Sequence, residues 1–336
     1  MRPSGAASLA CKCVNEKLEC STPREVMDLT AKLLVPATPP GVKSRTKLGE
    51  GAVWDSENGR LLWIDIIKGK IFTHDPSSGI PTFVDVRQAI GTVVPKSKDT
   101  VVAALCSGIC EVKLDDGRIA KFYGNPEADL PENLWNDGKC DPRGRLWVGS
   151  KDIFCERKTG FLWSLEPATG EWKRHDPCTV SNGLVWSADA KTFWYIDTPT
   201  GRIDGFVFDE AKGTITNRRP AVAVDTAADG WPDGCTIDAD DKIWVAMWAG
   251  GQVVRYDPLT GEALARVRIP GATQVTSVAF GGEKLDQLYV TTASCGIPAD
   301  KLAAGAADEN AGACFVIDCS GTGIRGRPAP RFGASA

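Results

Sequence analysis

Four short segments of the chain set an oxygen-bearing side chain beside glycine: Leu48-Gly49-Glu50-Gly51, Asn136-Asp137-Gly138-Lys139, Val180-Ser181-Asn182-Gly183 and Trp231-Pro232-Asp233-Gly234. Each alone reads as a polar turn, because Asn-Gly and Pro-Asp-Gly supply the dihedral angles that turns require. Taken together, Glu50, Asn182 and Asp233 offer hard oxygen donors with two negative charges, a set that suits Ca²⁺, Mg²⁺ or Mn²⁺. Zinc favours His or Cys. The chain's two histidines, His74 and His175, lie at the ends of strand-like runs in polar surroundings and read as surface residues, which argues against a His-based zinc site and against Ser-His-Asp catalysis. A divalent ion with an open coordination position polarises a carbonyl and acidifies a water, and a neighbouring carboxylate can accept the proton. Ester or lactone hydrolysis needs those parts and no organic cofactor. No glycine-rich phosphate loop opens a helix, which argues against nucleotide chemistry.

Such dispersed segments converge only if the chain between them wraps around one axis, and the sequence repeats accordingly. Gly59–Asp65 leads to Gly69–Pro76, Gly144–Gly149 to Gly160–Pro167, Lys191–Asp197 to Gly201–Asp209, Lys242–Ala246 to Gly251–Pro258, and Asp286–Thr291 to Gly312–Asp318. A weaker sixth copy runs from Asp99–Leu105 to Gly108–Val112. Each copy is an apolar strand, a glycine turn and a second strand, most of them ending in an acidic residue. The aromatic anchors Trp63, Trp147, Trp194, Trp244 and Tyr289 recur at intervals of roughly 40 to 85 residues, and the weak copy occupies the longest interval. Short strands at such a period are the signature of propeller blades. Six copies predict an all-β, six-bladed β-propeller; two stacked sandwiches, the alternative, would not repeat one anchor so regularly.

A closed repeat array makes most of the 336 residues one domain. Residues 1–26 read as an N-terminal extension and 27–330 as the propeller. Met27–Pro36 alternates as a strand does, and Ala31–Val35 is placed to pair near Ala313–Asp318, closing the ring and protecting both edges. No apolar run approaches a membrane span. The formal charge of −4 leaves no basic footprint for nucleic acid. Met1–Ala10 is too short and weakly apolar for a signal peptide. The 12 cysteines, among them Cys106, Cys110, Cys140, Cys178, Cys235 and Cys314 in strand-like runs, read as buried reduced thiols of a cytoplasmic protein. Cys11, Cys13 and Cys20 cluster in the extension but lack the usual fourth zinc ligand.

Leu48–Trp54, Asn136–Gly149, Val180–Trp186, Pro232–Asp238, Ile243–Pro258, Thr276–Thr291 and Gly323–Pro328 carry a resemblance. The chain resembles the SMP-30/gluconolactonase/luciferin-regenerating-enzyme family over about residues 27 to 330. The resemblance implies a six-bladed propeller with one divalent ion near its axis, Ca²⁺ first, with Zn²⁺, Mg²⁺ and Mn²⁺ as alternatives. Glu50, Asn182 and Asp233 would be its ligands, Asp233 also the base toward the attacking water, and Asn136 a substrate contact. The implied activity is lactone hydrolysis, often of sugar lactones.

One departure bears on substrate. Many sugar-lactone members carry Arg two residues before the Asn of the NDGK motif; here that position is Leu134, which lacks the guanidinium's five donors. An acidic residue found in some members is displaced as well, with Phe154 near its place and Asp152 and Glu156 flanking. Trp135 and Trp231, beside the candidate site residues, could line an apolar pocket or simply pack. The expected partner is therefore a small lactone or ester, with an apolar body favoured over a sugar. Organophosphate-type ester hydrolysis, isomerisation or cyclisation, and non-catalytic calcium-binding regulation are the competing functions. The pairing of Asp233 with Asn136 favours catalysis, since a structural ion needs ligands but no substrate-facing amide.

Overall fold

The repeated pairs of apolar runs form the middle strands of six four-stranded antiparallel sheets in a computed structural model, which describes residues 29–36, 38 and 45–334. Strand β1 is Ala31–Val35. The first blade, from the inside outward, is β2 (Gly49–Asp55), β3 (Arg60–Asp65), β4 (Lys70–His74) and β5 (Thr82–Asp85). The second is β6 (Ile90–Pro95), β7 (Thr100–Leu105), β8 (Gly108–Lys113) and β9 (Ile119–Gly124). The third is β10 (Asn133–Cys140), β11 (Leu146–Asp152), β12 (Gly160–Leu165) and β13 (Trp172–Cys178). The fourth is β14 (Ser181–Trp186), β15 (Thr192–Asp197), β16 (Arg202–Asp209) and β17 (Thr214–Ala223). A four-residue helix, α1 (Thr226–Asp229), precedes the fifth, β18 (Trp231–Ile237), β19 (Ile243–Trp248), β20 (Gln252–Tyr256) and β21 (Ala263–Arg268). The last is β22 (Val275–Gly281), β23 (Gln287–Thr292) and β24 (Cys314–Asp318), with β1 as its outer strand.

The protein is a six-bladed β-propeller. Its ring closes as the sequence predicts: β1 pairs antiparallel with β24, with Ala31 opposite Ile317 and Leu33 opposite Phe315. One blade thus takes strands from both parts of the chain, and β1 covers the edge that β24 would otherwise leave open. The inner strands contact one another around the axis, and β2 meets β22 to complete the circle.

Blades pack face to face, so their second strands are buried on both sides and read as nearly continuous apolar runs rather than alternating ones. The anchors Trp63, Trp147 and Trp244 are at most 1% exposed. Trp147 lies against Trp186, Phe193 and Phe208 of the next blade. The polar end of the anchor is satisfied locally: Trp147 Nε1 donates to Asp141 at 3.0 Å, and Trp244 Nε1 to Asp238 at 3.0 Å. These aspartates sit in the turns joining the first and second strands of their blades. Each also accepts from an arginine, Arg145 or Arg255, so one carboxylate fixes turn, anchor and cation together.

The segment after the last blade crosses one mouth of the ring. Ala239 N donates to Arg325 O, Arg327 to Trp186 O, Phe332 N to Pro95 O and Gly333 N to Gly144 O, tying together four blades. Beneath it lies a cavity of about 520 Å³ with mainly apolar walls.

Several expectations are corrected. His74 is buried at 2% exposure and His175 stacks on Trp147 with ring centroids 4.2 Å apart, so neither is a free surface side chain. Cys106 is exposed in a turn, whereas Cys110, Cys140, Cys178, Cys235 and Cys314 are buried free thiols. Residues 1–26, with Cys11, Cys13 and Cys20, lie outside the described residues.

Candidate active site at the mouth of the channel

The four glycine-flanked segments are not turns. Glu50, Asn136, Asn182 and Asp233 all lie inside inner strands, β2, β10, β14 and β18. In each case the pairing with the second strand slips in register at that point: between Glu50 and Val53, Trp135 and Gly138, Ser181 and Leu184, and Pro232 and Cys235. A slip of this kind kinks a strand and re-aims its side chains, and here it sits at the same level in each blade. Gly183 and Gly234 serve close approach, whereas Gly51 is required by its backbone, at a φ of 60°. A Cβ on Gly183 would stand 2.8 Å from Asp233 O, and one on Gly234 would stand 2.7 Å from Thr276 O. Turn chemistry and close-packed strands share the same dipeptides, so the sequence alone could not separate them.

Two of the proposed ligands are aimed by one repeated device. Asp65, at the end of β3, accepts from Lys47 N at 2.9 Å and from Leu48 N at 3.3 Å, just before Glu50. Asp197, at the end of β15, accepts from Thr179 N at 3.1 Å and Val180 N at 2.8 Å, just before Asn182. In both blades a buried carboxylate at the end of the second strand holds the backbone that enters the first.

Asn136 Nδ2 donates to Asn182 Oδ1 at 2.9 Å and to Ser181 O at 2.7 Å. Asn182 Nδ2 donates in turn to Thr198 Oγ1 at 2.8 Å, and Thr198 Oγ1 to Pro232 O at 2.8 Å. This chain links blades three, four and five at the level of Asn136, Asn182 and Asp233. Glu50 acts electrostatically on Asp233. Burial and then the neighbouring Asp137 carboxylate push the Glu50 carboxyl up to about 8. Burial and then Glu50 push Asp233 well above the carboxylate range. Glu50 keeps one backbone donor, Gly51 N at 3.0 Å, while Asp233 Oδ1 is buried with no partner.

Asp137 is a participant that the sequence reading passed over, although it sits inside a quoted motif. It acts on both Glu50 and Asp233, and its own Oδ2 is buried without a partner. Three acidic groups therefore crowd one region, two of them driven toward the neutral form. A divalent cation is the charge this donor set lacks, and oxygen ligands from Glu50, Asn182 and Asp233 fit one. Among the described residues no group of three or more His, Cys, Asp or Glu side chains has metal-holding geometry; the set here contains two carboxylates and an amide.

The remaining named residues divide. Trp135 is 6% exposed and stacks on Trp172 at 6.4 Å, as part of the blade core. Trp231 is 40% exposed at the start of β18. Leu134 is half-buried at the start of β10. Ile67, Ile153 and Phe154 are exposed in segments that follow the second strands of blades one and three, at the same end of the ring as Trp231. Asp152 is fully buried and committed to Arg157, so it does not replace the displaced family acid. Cys235, close to Asp233, has its thiol pushed up to about 12 by burial and is no nucleophile. No helix among the described residues is long and apolar enough to cross a membrane.

Residues 48–294 match the model of the SMP-30/Gluconolactonase/LRE-like region. YvrE of Bacillus subtilis, whose name assigns it provisionally to the sugar lactone lactonases, is 36% identical over 252 residues, covering 75% of this chain and 85% of that protein. Regucalcin of Xenopus laevis is 35% identical over 264 residues, covering 77% and 87%. A solved luciferin-regenerating enzyme superposes with a TM-score of 0.80 at 30% identity, over 91% of this chain and all of that one. A regucalcin of Agrobacterium tumefaciens, described as a calcium-binding protein, gives 0.80 at 25% identity over 90% and 97%.

Proposed function

This chain belongs to the SMP-30/gluconolactonase/LRE-like family, and on that footing we propose that it is a divalent-metal-dependent hydrolase that opens a lactone or related ester. The observation that carries the proposal is the pairing of buried Glu50 with buried Asp233, whose Oδ1 has no partner, at the level where Asn136 grips Asn182. Glu50, Asn182 and Asp233 would hold the ion, Ca²⁺ by preference. When bound, the ion supplies Lewis-acid polarisation of the substrate carbonyl and acidification of a water. Asp233 Oδ1 takes the proton from the attacking water. Asn136 fixes the Asn182 amide through its Nδ2. Thr198 carries that restraint to the backbone entering Asp233.

The wall presented to the substrate supports an apolar body. Leu134 offers no donor, and Trp231, Ile67, Ile153 and Phe154 leave apolar surface exposed at the same end of the ring. An apolar ring gains about 25 cal/mol per Å² on burial there, whereas each sugar hydroxyl buried without a partner costs about 1–3 kcal/mol. The test is a panel of sugar, aliphatic and aromatic lactones with the chelated protein, before and after adding Ca²⁺, Mg²⁺, Mn²⁺ or Zn²⁺. Metal-dependent opening of at least one lactone is expected. Failure of every lactone with every metal would refute the proposal and favour a purely calcium-binding role.

A further inference from the structure

Leu134 removes a cation from the substrate side of the site, but the opposing strand carries another. In the β10–β11 pairing, Leu134 is directly opposite Lys151. Directly opposed residues project from the same face of a sheet with their Cβ atoms about 4.5–5.5 Å apart. Lys151 is also bridged to Val180, two residues before Asn182, so its backbone is held between β10 and the entrance to β14.

The charge on Lys151 acts on Glu50, on Asp233 and on Cys295, which come from three other blades. Those groups share a neighbourhood only at the mouth of the channel. Yet among the described residues Lys151 makes no side-chain hydrogen bond or ion pair. The other lysine acting on Glu50, Lys139, is committed to the fold, donating from Nζ to Cys235 O at 2.8 Å. Glu50 and Asp233 do not satisfy Lys151 either. Once they serve as ligands, their charge is taken up; Asp137 remains in the region but forms no ion pair with Lys151, which is left as a half-buried cation without a paired anion.

We propose that Lys151 is the substrate-anchoring cation of this propeller, taking over from the opposing strand the place vacated at Leu134, and that the substrate is a lactone bearing a carboxylate. The apolar body of that substrate rests against Leu134 and Trp231. This deepens, and rests on, the lactone-opening reading of the same site. A lysine suits such a role as a point charge on a flexible stem, less demanding in geometry than a bidentate arginine.

A carboxylate could reach Lys151 from the substrate or from the ring-opened product, so three probes are needed. Coumarin and coumarin-3-carboxylate are lactones that differ by one carboxylate, and 2-hydroxycinnamate is the ring-opened acid of coumarin. Dissociation constants are measured by calorimetry at low and high salt for the full chain, with and without Ca²⁺, and for Lys151→Met and Lys151→Met/Leu134→Arg. Unchanged melting temperatures establish that the variants fold. Coumarin-3-carboxylate is expected to bind wild type at least tenfold more tightly than coumarin. The advantage should shrink with salt, vanish in Lys151→Met and return in the double variant. Equal affinities, an advantage that survives Lys151→Met, or Lys151-dependent binding of 2-hydroxycinnamate alone would each overturn the proposal. If neutral lactones are opened normally while the advantage is missing, the anchor fails and the hydrolase reading stands. If the Lys151-dependent advantage is present but no lactone is opened with any metal, the anion anchor stands and the hydrolase reading fails.

Discussion

Asn136 Nδ2 lies 2.9 Å from Asn182 Oδ1, so two amides from adjacent blades are locked together, and the locked oxygen is the one proposed as a metal ligand. The bond fixes which way Asn182 presents its amide, because Asn182 Nδ2 is at the same time donated to Thr198. A neutral side chain therefore controls the aim of a ligand without adding charge to a site already rich in carboxylates. Removing it with Asn136→Ala is expected to weaken Ca²⁺ binding by about 10- to 100-fold, the usual effect of losing a partner that orients a ligand. Calorimetric titration of the variant checks this. Unchanged affinity would mean that Asn182 is held by Thr198 alone.

Asp233→Asn should keep most of the fold, since Asp233 Oδ1 has no partner to lose. It removes a ligand charge and the proton acceptor together. Hydrolysis should drop by at least 10²–10⁴-fold, the range for loss of a general base. Near-wild-type turnover in metal-replete buffer would place the base elsewhere.

Substrate choice is tested at Leu134. Wild type is expected to show a higher kcat/KM for dihydrocoumarin than for D-glucono-δ-lactone, and Leu134→Arg should move the ratio toward the sugar lactone by about tenfold, the worth of roughly one hydrogen bond to a charged group. A wild type that prefers the sugar lactone by tenfold or more would show that its hydroxyls find donors other than those described here.

The fold carries its own pH dependence at His175, far from the site. Burial, followed by Lys173 and Arg145, pushes this imidazole down to about 4. Between pH 6.5 and 4 the unfolded chain takes up this proton and the folded chain does not, so stability must fall as pH falls through that window and level off below it. Urea midpoints of wild type should drop more steeply over this range than those of His175→Gln, by roughly 1–3 kcal/mol. Parallel slopes would contradict it.

Much of this architecture was readable in the sequence, for a physical reason. The second and third strands of each blade are buried on both faces and bounded by glycine turns, so they stand out as repeated apolar runs; the closing pair β1–β24 follows from the same pattern. The outer strands do not stand out. Strand β9 is largely exposed, with no burial to impose alternation. The site residues were legible as residues but not as structure. Asn182 and Asp233 sit next to glycines that look like turn formers, whereas Gly183 and Gly234 are required because the neighbouring inner strand approaches so closely; beside Glu50, Gly51 is required by its positive φ. Asp137 and Lys151 escaped notice because their significance lies in what they face across the channel. Only the register that sets Lys151 opposite Leu134 shows that a cation lost on one strand is available on the next.

Glu50, Asn182 and Asp233 are proposed to hold one divalent ion on which lactone opening depends. The most direct measurement is a calorimetric titration of chelated protein with Ca²⁺, with dihydrocoumarin hydrolysis followed on the same samples. Binding of one ion per chain, with activity returning in proportion to occupancy and both lost in Asp233→Ala, is the expected result. Full hydrolysis in excess chelator, or one-to-one binding that Asp233→Ala leaves intact, would contradict it.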